Sequence, residues 1–103
     1  MSDNFASRLA QSLIKAHQSG TRIPVDEDAR ALTRDQAKFV IRDVANGIGQ
    51  IPTGWKVAVV DGTPAYAPMF EKHIHSSGAH IPINEEGYLI EIEVAVKLSH
   101  DLP

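Results

Sequence analysis

The sequence contains no cysteine. No disulfide framework, thiolate zinc site or cysteine nucleophile can therefore exist, and a thiol-free chain suits a reducing cytoplasm. A basic run is missing as well. Lys and Arg total 10 against 13 Asp and Glu, they are scattered, and the net charge of −3 leaves no electrostatic footprint for nucleic acid. There is no apolar stretch of membrane-spanning length, and the N-terminus, MSDNFASRLAQSLIKAHQSG, sets acid and amide residues ahead of its apolar positions, unlike a signal peptide. Neither G-x-G-x-x-G nor a Walker pattern occurs, and Ser76-Ser77-Gly78 lacks the strand-turn-helix setting of a nucleophile elbow. These absences predict a soluble, cytoplasmic protein with neither nucleic acid nor membrane as partner.

What is present fits one small domain. A chain of 103 residues buries somewhat more than about 60% of its unfolded surface, and 43% hydrophobic with 22% charged residues is an ordinary globular mixture. Over residues 4–19, Phe5, Leu9, Leu13 and Ile14, with Ala6, Ala10 and Ala16, recur on one side of a 3.6-residue period. The spacing predicts an amphipathic helix, capped by Ser2, Asp3 or Asn4 and ended by Gly20. His17 falls in its last turn, where a cation favours the helix dipole, a structural role. Residues 21–31, with Pro24 and the acidic run Asp26-Glu27-Asp28, read as a solvated connection with at most one helical turn. Thr33-Arg34-Asp35-Gln36 then has the capping-box form, with Leu32 and Ala37 placed for a hydrophobic staple. Ala37, Val40, Ile41, Val44 and Ile48 carry a second helix to Gly47 or Gly49.

After Pro52 the texture changes to short β-prone runs broken by Gly, Pro, Asn and Asp. Residues 54–60 read as a strand with Trp55, Val57 and Val59 on one face and Lys56, Ala58 and Val60 on the other. Asp61-Gly62-Thr63-Pro64 is a turn signal. Residues 66–75 fit either a short helix or a loop, residues 80–83 a third short strand, and Asn84-Glu85-Glu86-Gly87 a turn. The expected architecture is α+β: a helical region over residues 1–50 and the β-rich start of a catalytic fold over 51–103, together one incomplete domain. Two helices do not cover three strands, so a further surface is expected from a second copy or from another chain supplying the missing half.

The strongest strand signal is LIEIEVAVKL, residues 89–98. Alternation puts Ile90, Ile92, Val94, Val96 and Leu98 on one face and Leu89, Glu91, Glu93, Ala95 and Lys97 on the other. Glu91 and Glu93 then lie roughly 6.5 Å apart along one side, within reach of one divalent cation. Any half-buried strand also wets its outer face with such residues, so the pattern alone fits both readings. Lys56, beside Ala58 and Val60, must snorkel to water, pair with an acid or lose its proton. His73 and His75 form an H-x-H pair with no convincingly spaced third ligand, which reads as an exposed pair. His80 and His100 are isolated.

Taken in order, Gly54-Trp55-Lys56-Val57, Ala67-Pro68-Met69-Phe70, Ser77-Gly78-Ala79-His80-Ile81, Ile90-Glu91-Ile92-Glu93-Val94-Ala95-Val96 and Asp101-Leu102-Pro103 resemble the 2-keto-4-pentenoate hydratase and 4-oxalocrotonate decarboxylase family, within the fumarylacetoacetate hydrolase-like group. The resemblance spans the whole chain, which corresponds to the N-terminal portion of a usual member. It implies a fumarylacetoacetate hydrolase-like fold, a Mg2+ or Mn2+ ion and a small 2-oxo acid substrate in aromatic catabolism. By that resemblance Glu91 and Glu93 are metal ligands, Lys56 is the catalytic lysine, and the activity is that of a lyase, a hydratase or decarboxylase. Three positions depart from the family. Its third metal carboxylate lies well past Glu93, outside this sequence, and Asp101 is too far along the strand to replace it. The acidic residue ahead of the Pro/Phe stretch has Ala65 near its place, and the Gly after the lysine motif is Ala58. A non-catalytic assembly or regulatory domain on the same scaffold is the alternative expectation.

Overall fold

In the computed structural model, which describes residues 3–83 and 87–103, the chain is α+β: three helices precede a two-stranded antiparallel sheet. Helix α1, Asp3–Ser19, ends as its sequence demands. Gly20 adopts a left-handed φ of +69°, and the Thr21 amide donates to the Ala16 carbonyl at 3.1 Å, closing the six-residue wrap of a glycine-terminated helix. The single turn α2, Glu27–Arg30, is capped by Asp26, whose carboxylate accepts from the Ala29 amide at 2.8 Å.

Helix α3, Arg34–Gly47, opens on the expected reciprocal cap. The Gln36 amide donates to the Thr33 hydroxyl at 3.2 Å, and the Thr33 amide donates to Oε1 of Gln36 at 2.9 Å. Two backbone donors that a helix start leaves unmet are thus satisfied, contributing about 1 kcal/mol. Gly49, at φ +67°, turns the chain out of the helix after Ile48.

The core is the seam between α1 and α3. Ala6, Ala10 and Ile14 pack against Val40 and Val44, with Leu9, Leu13, Leu32, Phe39 and Ile48 closing its margins. Alanines at the α1 contact let the two backbones approach, and Gly47 continues that approach. A Cβ at Gly47 would stand 2.9 Å from Ile14 Cγ1 and closer still to its Cδ1.

Strands β1, Pro52–Val60, and β2, Thr63–Phe70, form a hairpin in which Val60 faces Thr63, Val57 faces Tyr66 and Trp55 faces Pro68. The turn signal is confirmed and its chemistry explained. Asp61 and Gly62 both take positive φ, +51° and +74°, as a two-residue turn matching the strand twist requires. An irregularity between Pro52 and Gly54 marks where proline enters the pair. Trp55 and Tyr66, diagonal neighbours on one face, meet edge to face with centroids 5.6 Å apart.

Three expectations are corrected here. Residues 66–75 are neither helix nor loop throughout: they complete β2 and then form a 3-10 turn, Glu71–His73. Ala67 and Pro68 hid this, since neither favours a strand, yet the preceding tight turn imposes the pairing. Residues 80–83 form no strand. Residues 89–98, the strongest strand signal, belong to no sheet among the described residues. They have strand composition but no neighbour to complete a ladder. Of the turn expected at 84–87, Asn84, Glu85 and Glu86 lie outside the described residues, as does Ser2 at the α1 cap. No helix in the described residues is long and apolar enough to cross a membrane.

Candidate functional site

Lys56 sits in the middle of β1, opposite Ala67. Its small neighbours, Ala58 on its own strand and Ala67 across the pair, leave the ammonium room to extend beyond the sheet. There it meets Glu93: Nζ forms an ion pair with Oε1, joining β1 to the segment that follows Gly87. Both side chains remain about half exposed, at 46%, so this pair positions the segment more than it stabilises the fold. Arg22, in the connection after α1, makes a second tie, donating from Nη2 to the Gly87 carbonyl at 2.7 Å. Sequence reasoning missed Arg22 because a long-range bond to a backbone carbonyl leaves no periodic signal.

Of the three expected site residues, the structure therefore brings Lys56 and Glu93 together. Glu91 is exposed and forms no hydrogen bond or ion pair among the described residues. As donors, two carboxylates two positions apart suit a hard cation, which takes oxygen ligands and completes its shell with water. Among the described residues no three His, Asp or Glu side chains converge to hold a metal ion. Glu91 and Glu93 alone offer carboxylate oxygens of the kind a hard cation takes, and Glu93 is already engaged by Lys56.

The H-x-H pair does not act as a unit. His73 lies on the 3-10 turn and faces back to α1, its ring nearly parallel to that of His17 with centroids 6.4 Å apart, and it meets Phe70 edge to face at 6.3 Å. His73 is exposed overall, yet desolvation on its inner side lowers its pKa from the usual 6.5, and positive charge at Lys72, His17 and His75 lowers it further. These rings rim a cleft of about 330 Å3 between the helical pair and β2, floored by Leu13, Val40, Val44 and Met69. Phe70, only 5% exposed, anchors the hairpin beside it. The pairing of His17 with His73 did not stand out in the sequence, because it joins residues 56 positions apart, and nothing local marked Phe70 as the buried one of its stretch. At the far end of the hairpin Arg34 Nη2 donates to the Pro64 carbonyl, so α3 holds both ends of β2.

No family model, curated protein or solved structure matches this chain.

Proposed function

We propose that the chain carries the lysine and paired carboxylates of a divalent-metal-dependent lyase site for small 2-oxo or 2-hydroxydienoic acids, of the 2-keto-4-pentenoate hydratase or 4-oxalocrotonate decarboxylase kind. The fold to which it would belong is fumarylacetoacetate hydrolase-like. One observation carries this reading: the Lys56 ammonium and the Glu93 carboxylate, 37 positions apart, meet across two segments, with Glu91 next to Glu93 in the same stretch. The Gly-Trp-Lys strand and the Glu-x-Glu stretch are the two places where the resemblance puts its catalytic and metal residues.

Glu91 and Glu93 would hold Mg2+ or Mn2+. Bound there, the ion would supply a Lewis acid for the carboxylate and 2-oxo oxygens of the substrate and offset the charge of a dienolate. Lys56 lies beside Glu93 on a flexible stem, and in this reading it is the group that would move a proton to or from a substrate carbon. Its link to Glu93 keeps the ammonium aimed at the carboxylate side of the segment.

Calorimetry with Mg2+ and with Mn2+ tests this reading. Binding heat is expected for the wild-type chain and not for a Glu91→Ala/Glu93→Ala double variant. Identical heats from the two proteins would remove the metal assignment.

A further inference from the structure

Residues 89–98 hold the largest concentration of exposed apolar surface among the described residues. Ile90 is 91% exposed, Ile92 99%, Val94 96% and Val96 83%. No backbone hydrogen bond links this stretch to the rest of the described chain. A β-branched run with open donors and acceptors is a template for a pairing strand, and natural proteins blunt or cover such a run. Cover is missing among the described residues and blunting is partial: the stretch holds no proline, its apolar positions face solvent, and its charges, Glu91, Glu93 and Lys97, all lie on one face.

The charges say which strand fits. Laid antiparallel on itself about Val94, the sequence sets Ile90 opposite Leu98, Ile92 opposite Val96 and Val94 opposite Val94. On the other face, Glu91 falls opposite Lys97, and Glu93 falls opposite Ala95. A two-fold pair makes each of these contacts twice, except Val94 against Val94, which lies on the axis. Neighbouring registers are worse. Centring on Glu93 sets two carboxylates against each other. Centring on Ala95 draws on Glu93, already held by Lys56, and places Ile90 against His100.

We propose that residues 89–98 form an antiparallel strand pair with the same residues of a second copy of this chain, centred on Val94, with Glu91 of each copy facing Lys97 of the other. The Lys56–Glu93 ion pair is retained, because Glu93 faces only an alanine across the pair. The inference shares Glu91 with the proposed lyase site but needs neither metal nor turnover, so association measured without metal tests it separately from that reading.

Sedimentation velocity across the micromolar range, in EDTA, reads the association directly. The wild type is expected to be dimeric. Lys97→Glu, which places like charges across both contacts, is expected to weaken the dimer about tenfold or more. The Glu91→Lys/Lys97→Glu double variant, which restores opposite charges in reversed order, is expected to recover most of the loss. Because the native chain has no cysteine, oxidation of single-cysteine variants reads the register. Val94→Cys should cross-link to itself readily, its counterpart lying directly opposite at disulfide distance, and Ile92→Cys only slowly. These substitutions fall on exposed residues away from the helical core, and unchanged helical circular dichroism confirms an intact fold. A wild type that stays monomeric throughout, a double variant no tighter than Lys97→Glu, or equal cross-linking at positions 92 and 94 would each overturn the proposal.

Discussion

The helical pair and residues 89–98 are written in the same kind of code and meet opposite fates. Both repeat apolar residues at a regular spacing. Yet Ala6, Ala10, Ile14, Val40 and Val44 are at most 8% exposed, whereas Ile90, Ile92, Val94 and Val96 are at least 83% exposed. The difference is one of completeness. A helix closes its hydrogen bonds within itself, and each of α1 and α3 then needs only the other to cover its stripe. A strand closes nothing alone: half of its bonds and one whole face depend on neighbours. Periodicity therefore identifies which residues share a face, and the partner for that face is a separate question.

A buried charge exposes the contrast most strongly. Val44→Asp places a carboxylate in the α1–α3 seam with no basic partner among the core residues, so about 3–5 kcal/mol of stability is expected to be lost. The matching change Val94→Asp falls on a residue already 96% exposed and is expected to shift helix unfolding by less than about 0.5 kcal/mol. Thermal unfolding followed by far-ultraviolet circular dichroism measures both. Equal losses would mean that residues 89–98 cover the helical core in solution.

A smaller effect tests how tightly the seam is closed. Gly47→Ala improves helix propensity by about 1 kcal/mol, but its new methyl meets Ile14 Cδ1 and stands 2.9 Å from Cγ1. Overpacking of this kind costs about 1–3 kcal/mol, so a net loss of roughly 1 kcal/mol is expected. In an Ile14→Val background, where Cδ1 is gone, the same change is expected to cost less or to stabilise. An identical cost in both backgrounds would show that Ile14 is not what Gly47 accommodates.

How much of this was legible follows the range of the interactions involved. The Thr33–Gln36 cap, Gly20, the Asp61-Gly62 turn and both apolar helix faces could be read because each is decided within a few residues. The Lys56 face assignment could be read for the same reason, by alternation along one strand. The Lys56–Glu93 meeting was suggested by chemistry and resemblance, since nothing local links positions so far apart. Strand β2 was illegible because Ala65, Ala67 and two prolines are poor strand formers, and its pairing is imposed by the turn before it. Phe70 became buried only once the hairpin lay beside the helices. Residues 89–98 mark the opposite case: composition signals a strand that, among the described residues, has no neighbour with which to form one.

The smallest expected effect concerns the join between the two regions. His73 ties the hairpin end to α1 through His17 and Phe70, and desolvation, then the positive charge of Lys72, His17 and His75, lowers its pKa from 6.5. The folded state thus binds the His73 proton less readily than the unfolded chain does. Stability from this group is complete above about pH 6.5 and is lost as the pH falls from there through the lower folded value. Because His73 is largely solvated, the loss of Tm between neutral and mildly acidic buffer is expected to be small. His73→Gln keeps a polar side chain without a titrating ring, so its Tm is expected to change less over the same interval. The comparison isolates one imidazole against the four others, whose titration both proteins share. If the variant loses as much as the wild type, the acid sensitivity lies elsewhere in the chain, and the hairpin is held to the helices by Phe70 and the Arg34–Pro64 contact without help from the histidine pair.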